Sequence, residues 1–216
     1  MARILGLKQL HQKRYKLLEG IPDNIKAAFG ELTAAFIAII WGKSGNGKSN
    51  FLIELLLALM EYGKVLHISL EEGHEKSFQN LIFRHLDVDK HTGKIEFADY
   101  EMTFEALMVK LKKKKSPQFI VIDSLQYWKI TFDQYKILKE TFPKKTFIFI
   151  SHALGKMPKG GTAQDIQYDA GIKVRVEGYI AFVTSRYGGV QNFVIWEDGA
   201  KKYWAKKYKT MLTKKL

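Results

Sequence analysis

Apolar residues in this chain come in short dense runs, separated by polar stretches marked with glycine. Leu32–Trp41 is one such run, closing at Gly42; Val65–Leu70, Phe119–Ile122 and Thr146–Ile150 are three more. Runs of this length that are apolar at successive positions predict strands buried on both faces of a parallel sheet. Between them, Asn50–Tyr62, Glu75–Leu86, residues 102–115 and Gln134–Thr141 predict helices, the first stopping at Gly63 and the third broken at Pro117. Alternating strands and helices predict an α/β fold with a central, mostly parallel sheet flanked by helices. Ile172–Val176, Tyr179–Thr184 and Asn192–Trp196 predict a short antiparallel C-terminal extension, with turns at Glu177-Gly178, Tyr187-Gly188-Gly189 and Asp198-Gly199.

Two segments depart from this pattern. Ile4, Leu7, Leu10, Leu17 and Leu18 recur among basic residues, so 3–19 reads as an amphipathic helix. Ala153–Asp165 is rich in glycine and polar residues and reads as a mobile loop. The expected organisation is a basic N-terminal helix over 1–19, one α/β domain over 20–200 and a basic tail over 201–216.

Composition narrows the class. Hydrophobic residues make up 46 % and aromatics 13 % of 216 residues, enough for a sizeable core and too many for a disordered basic chain. Cysteine is absent, which excludes disulfides, thiolate nucleophiles and cysteine-ligated metal sites. No apolar run reaches the roughly 20 residues needed to cross a bilayer, and the first residues lack the apolar core of a signal peptide. The expectation is a cytoplasmic chain without a membrane partner. Lys and Arg exceed Asp and Glu by 35 to 22, a formal charge of +13, which favours an anionic partner. Residues 201–216 hold seven lysines and no acid, and Lys110 with Lys112–Lys115 forms a second run. The second run suits a helix C-terminus, where lysines oppose the dipole.

Gly42-Lys43-Ser44-Gly45-Asn46-Gly47-Lys48-Ser49 matches GxxxxGK[ST] between a predicted strand and a predicted helix. Glycines let the backbone wrap a phosphate chain with its amides inward, and the following helix turns its positive end to the same phosphates. Lys48 would lie against the β and γ phosphates and Ser49 would ligate Mg²⁺. Lys43 and Ser44 read as spacers. Asp123 ends its strand where a second acidic residue can hold Mg²⁺ through water. Glu71, at the end of Val65–Leu70, is the better placed of Glu71 and Glu72 to polarise a water aimed at the γ phosphate. Ser151-His152 ends Thr146–Ile150, where the pair could sense that phosphate. His67, His74 and His152 lack the paired spacing of a zinc site.

Together these segments are similar to the RecA-like P-loop ATPases, and resemble most the ATPase cores of the replicative DnaB-type helicases and the bacterial repair protein RadA. Phe29-Gly30-Glu31-Leu32 resembles the Gly-Glu-Leu before that family's P-loop strand. Val65–Glu71 resembles its Ser-Leu-Glu segment, and Ile120-Val121-Ile122-Asp123-Ser124-Leu125-Gln126 its Walker B segment. The resemblance implies ATP and Mg²⁺ as ligands and Glu71 as the residue that activates water. It implies that His152 occupies the sensor position and that Lys156–Gln164 falls at or after a DNA-facing loop. Asp169 resembles an aspartate that begins the next strand. Ser185-Arg186-Tyr187-Gly188 resembles the Lys-Asn-Arg motif that crosses a subunit boundary, so Arg186 is the implied finger of a ring or filament; Thr184 stands in the lysine position.

The leading expectation is a Mg²⁺-dependent ATPase acting on nucleic acid, single-stranded DNA above all, in replication or recombination. The bare core resembles those of phage or mobile elements, which sets the expected location as a bacterial or phage-infected cytoplasm. Tyr203, Trp204 and Tyr208 interleave with tail lysines and offer either base-stacking faces or core contacts. The competing readings are a regulatory or loader ATPase that switches a protein interface, and a small-molecule kinase.

Overall fold

The computed structural model describes residues 4–213. Two helices, α1 (Leu7–His11) and α2 (Asp23–Phe29), precede β1 (Ile37–Gly42), which leads into α3 (Lys48–Leu59) and β2 (Val65–Ser69). Next come α4 (Lys76–His85), α5 (Val88–His91), β3 (Ile95–Ala98), α6 (Phe104–Lys112) and β4 (Phe119–Asp123). Two more helices, α7 (Leu125–Trp128) and α8 (Phe132–Thr141), lead to β5 (Thr146–Leu154), β6 (Met157–Pro158) and α9 (Gly161–Asp169). The chain continues through β7 (Ile172–Glu177), β8 (Ile180–Ser185) and β9 (Phe193–Val194) to α10 (Glu197–Trp204) and α11 (Tyr208–Leu212).

The sheet order is β3-β2-β4-β5-β1-β7-β8-β9, with β6 paired to β5. From β3 to β7 every neighbour is parallel; β7–β8 and β8–β9 are antiparallel. Strand periodicity divides the core into two layers. Ala38 and Ile40 of β1, Phe119 and Val121 of β4 and Ile148 and Ile150 of β5 pack with α2 and with Leu52, Leu55, Leu56 and Leu59 of α3. Ile39 and Trp41, Ile120 and Ile122, and Phe147 and Phe149 face the opposite side, against Leu107 and Leu111 of α6, Leu138 of α8 and Ile166 of α9. Truncating a leucine as enclosed as Leu56 to alanine would cost about 2–5 kcal/mol.

Sequence expectations are corrected at several points. The N-terminal helix is confined to Leu7–His11 within the expected 3–19, of which residue 3 lies outside the described residues. Its apolar positions meet no core, Ile4 being 90 % and Leu7 86 % exposed. Leu18 is instead extended and buried, its N–H donating to the Leu32 carbonyl at 2.9 Å. The segment expected to be a mobile loop, Ala153–Asp165, is regular: β5 runs on to Leu154, turns through Gly155 and pairs with β6 as Ala153↔Pro158 and Leu154↔Met157. Most of α9 follows, because Ala163, Ile166 and Ala170 fall on one helical face and bury it. Asp169 therefore closes a helix and does not begin a strand.

The expected strand Asn192–Trp196 contracts to Phe193–Val194, and a helix starts at Glu197. The lysines of 201–209 lie on docked helices: Asn192 Nδ2 donates to Met211 O at 2.9 Å, and Gln191 bridges to Thr213. Lys214 and Lys215 fall outside the described residues. No helix among the described residues is long and apolar enough to cross a membrane.

Candidate nucleotide site

At the carboxyl end of β1 the chain leaves the sheet through the glycine loop and re-enters order at α3. Gly42 has no room for a side chain, since a Cβ there would stand 2.3 Å from the Val176 carbonyl oxygen. Gly45 and Gly47 take φ of +75° and +97°, in the left-handed region that favours glycine. Asn46 braces the loop from below: its Oδ1 accepts from Gly178 N–H at 2.8 Å and its Nδ2 donates to Ser44 O at 3.1 Å. Lys43 and Ser44 are exposed at the loop crest, Ser49 is exposed on the first turn of α3, and Lys48 Nζ donates back to Lys43 O at 3.1 Å. Burial holds the Lys48 ammonium below its ordinary pKa, against the opposing pull of Asp123 and Glu71. A phosphate anion beside it would relieve that penalty.

A cleft of 340 Å³ opens over this loop. Lys48, Ser49, Glu71, Asp123 and His152 all line it, so the structure gathers five residues from four separate segments. Parallel pairing does the gathering: Ser69 stands opposite Asp123 across β2 and β4, and Gly42 opposite His152 across β1 and β5. Glu71 Oε2 lies 2.8 Å from His152 Nε2. His152 is held from behind, its N–H donating to Gln126 Oε1 at 2.9 Å and its carbonyl accepting from Lys159 N–H at 2.9 Å. Gln126 Nε2 in turn donates to Ser151 Oγ and to Lys159 O. Glu72 also borders the cleft, but its carboxylate accepts from Ser77 Oγ at 2.9 Å near the start of α4.

Among the described residues no cluster of three or more His, Asp or Glu side chains is suited to holding a metal by itself. The donor set here, one hydroxyl and one carboxylate beside a phosphate loop, fits a hard cation that takes its other ligands from phosphate and water, as Mg²⁺ does.

Arg186 stands apart from this cleft. It is exposed on the turn after β8, its N–H donating to Gly171 O at 2.9 Å, beside a second depression lined by Lys139, Asp169 and Tyr187. Asp169 is the anchor there, accepting from Tyr135 Oη and from Lys139 Nζ. Of the tail aromatics, Trp204 donates Nε1–H to Gly178 O at 3.0 Å and packs edge-on to Phe182, so it is a structural contact, whereas Tyr203 is exposed. Two cleft residues carried no sequence signal for this role. Lys159 arrives through the hairpin turn, and His67 reaches the cleft from the middle of β2.

The structure resembles that of flagellar accessory protein FlaH from Methanocaldococcus jannaschii, with a TM-score of 0.61 at 15 % identity over 83 % of this chain and 94 % of that one. No protein-family model and no curated protein matches the sequence. The likeness and the strand order together define an α/β RecA-like P-loop NTPase fold. At this identity they carry that general fold, and not the finer resemblance to the DnaB-type helicases or RadA.

Proposed function

We propose that this chain binds and hydrolyses ATP with Mg²⁺ and uses the nucleotide to switch a protein interface. The observation that carries the reading is the Glu71–His152 pair at 2.8 Å, set in one cleft with Lys48, Ser49 and Asp123. Glu71 orients the attacking water and takes its proton. Lys48 and the loop amides hold the phosphates, while Ser49 and Asp123 hold the metal. Mg²⁺, when bound, offsets charge on the β and γ phosphates.

His152 bonds Glu71 through its ring and the β5–β6 hairpin through its backbone, so loss or gain of the γ phosphate is felt in that hairpin. The hairpin exposes Leu154 at 66 % and Met157 at 40 %, an apolar tip that supports a protein partner. The description of the structural relative as a flagellar accessory protein supports the same reading. Arg186, exposed and remote from its own cleft, suits a finger offered to a neighbouring copy in a ring or filament.

A second reading, ATP turnover coupled to single-stranded DNA in replication or recombination, draws on Lys156 and Lys159 in the hairpin segment and on the lysines of α10 and the turn after it. ATPase turnover with and without single-stranded DNA across a salt series, with oligomeric state followed in parallel, separates the two. The switch reading expects turnover indifferent to DNA. Stimulation that fades as salt rises overturns it in favour of nucleic acid.

A further inference from the structure

A buried polar atom with no bonding partner costs free energy, and its persistence asks for a reason. His67 is 1 % exposed, and neither Nδ1 nor Nε2 has a hydrogen-bond partner. Among the described residues no other side chain buries two such atoms. Its position follows from the register of β2 and β4, whose facing pairs are Val65↔Phe119, His67↔Val121 and Ser69↔Asp123. Along that face the pairs change from apolar to polar, and His67 stands one step before the polar end. Phe78 and Phe97 clamp the ring at 5.3 and 6.0 Å, both steeply inclined to it. The imidazole, so held, lines the cleft.

Nε2 lies 3.8 Å from Asp123 Oδ2, just outside hydrogen-bond reach. The Asp123 carboxylate accepts no hydrogen bond from the described side chains; the Lys48 charge attracts it without a directed bond. We propose that His67 is the positioning residue for the metal-holding carboxylate. With a metal–nucleotide in the cleft, Nε2–H donates to Asp123 Oδ2 and turns the other carboxylate oxygen toward the metal's water shell. Nε2 then has its partner and that part of the burial cost is recovered in the bound state, while Nδ1 stays unpaired. Outer partners of this kind orient a metal-binding group and tune its affinity. The inference rests on reading the cleft as a metal–nucleotide site.

The test measures Mn²⁺ binding by electron paramagnetic resonance with a non-hydrolysable ATP analogue, on the wild type, His67→Phe and His67→Gln. His67→Phe keeps the aromatic packing and removes the donor, and is expected to bind Mn²⁺ about 10–100-fold more weakly. Its affinity for the metal-free analogue should stay within about twofold, because metal coordination alone is perturbed. His67→Gln restores a donor and should recover most of the loss. Equal Mn²⁺ affinity in His67→Phe and wild type overturns the proposal and leaves a packing histidine.

A wild type that binds no metal–nucleotide overturns the reading of the cleft, and this inference with it. Nitrogen-15 spectra of the wild-type imidazole keep the proposal testable should the variants fail to fold. Nε2 must show a hydrogen-bonded N–H with Mg²⁺ and analogue together, and not with analogue alone. An unchanged spectrum overturns it.

Discussion

Two glycine-rich segments leave neighbouring parallel strands at the carboxyl ends of both, and they end in opposite conditions. Residues 42–49 follow β1 and stay open around a cleft; residues 155–161 follow the end of β5 and close into a hairpin and a helix start. In the first, Gly42 is required by close approach, a Cβ there meeting the Val176 backbone, and Gly47 sits against Tyr179 and Ile195. In the second, Gly155, Gly160 and Gly161 each face open space, and only the positive φ of Gly155 and Gly160 asks for glycine. Trp41 ties the two strands' ends together, donating Nε1–H to Lys156 O at 2.9 Å. Glycine content alone therefore says nothing about mobility. What differs is whether the segment pairs with itself, as β5 and β6 do, or borders an open cleft.

That contrast can be broken at several points. The largest effect is expected where the two segments communicate: Glu71→Gln should lower single-turnover hydrolysis by about 10²–10⁴-fold while nucleotide stays bound. Rapid hydrolysis by that variant would remove Glu71 as the base. Gly42→Val should force the Val176 carbonyl aside, costing about 1–3 kcal/mol in denaturant titrations and abolishing nucleotide binding by calorimetry.

Asp169→Asn, at the end of α9, should cost about 1–3 kcal/mol because it weakens hydrogen bonds from Tyr135 and Lys139. Burial pushes the Asp169 carboxyl upward, but Lys139 and Tyr135 with the Arg186 charge pull it below its ordinary value overall. A depressed carboxyl contributes stability above its unfolded pKa, about 3.9, and loses it as pH falls through the folded value. The wild type's margin over Asp169→Asn should accordingly be full near neutrality and shrink below about pH 4. Gly155→Ala should cost about 1–2 kcal/mol through its left-handed φ alone. Gly161→Ala, with open space and an ordinary φ, should stay within about 0.5 kcal/mol of wild type. A large loss at Gly161 would show that the second loop, too, is held by close contact.

The parallel strands were legible because burial on both faces writes them as unbroken apolar runs, and the turn from β1 into α3 because glycines mark it. β3 was not, since Ile95-Glu96-Phe97-Ala98 is a half-buried edge whose apolar content is diluted. α9 was hidden because its buried face is carried by Ala163, Ile166 and Ala170, small residues among polar ones that resemble a loop. The reverse error occurred at 3–19, where helical spacing was present but only Leu18, outside the helix, reaches the core, while Ile4, Leu7 and Leu10 are exposed. In the cleft, Lys48, Ser49, Glu71, Asp123 and His152 were each named from a strand end or a motif. His67 was beyond reach. A lone histidine in an apolar run has no spacing, and its neighbours arrive from positions 78, 97 and 123.

β1 carries a consequence for how the molecule comes into being. The strand that leads into the glycine loop has both ladders completed by much later segments, Ile37 pairing with Phe147 and Ala38 with Ile172. A chain emerging from the ribosome exposes the loop early, but its supporting strand remains an unpartnered apolar ribbon until β5 and then β7 have been made. Support for the glycine loop is thus a late acquisition of synthesis.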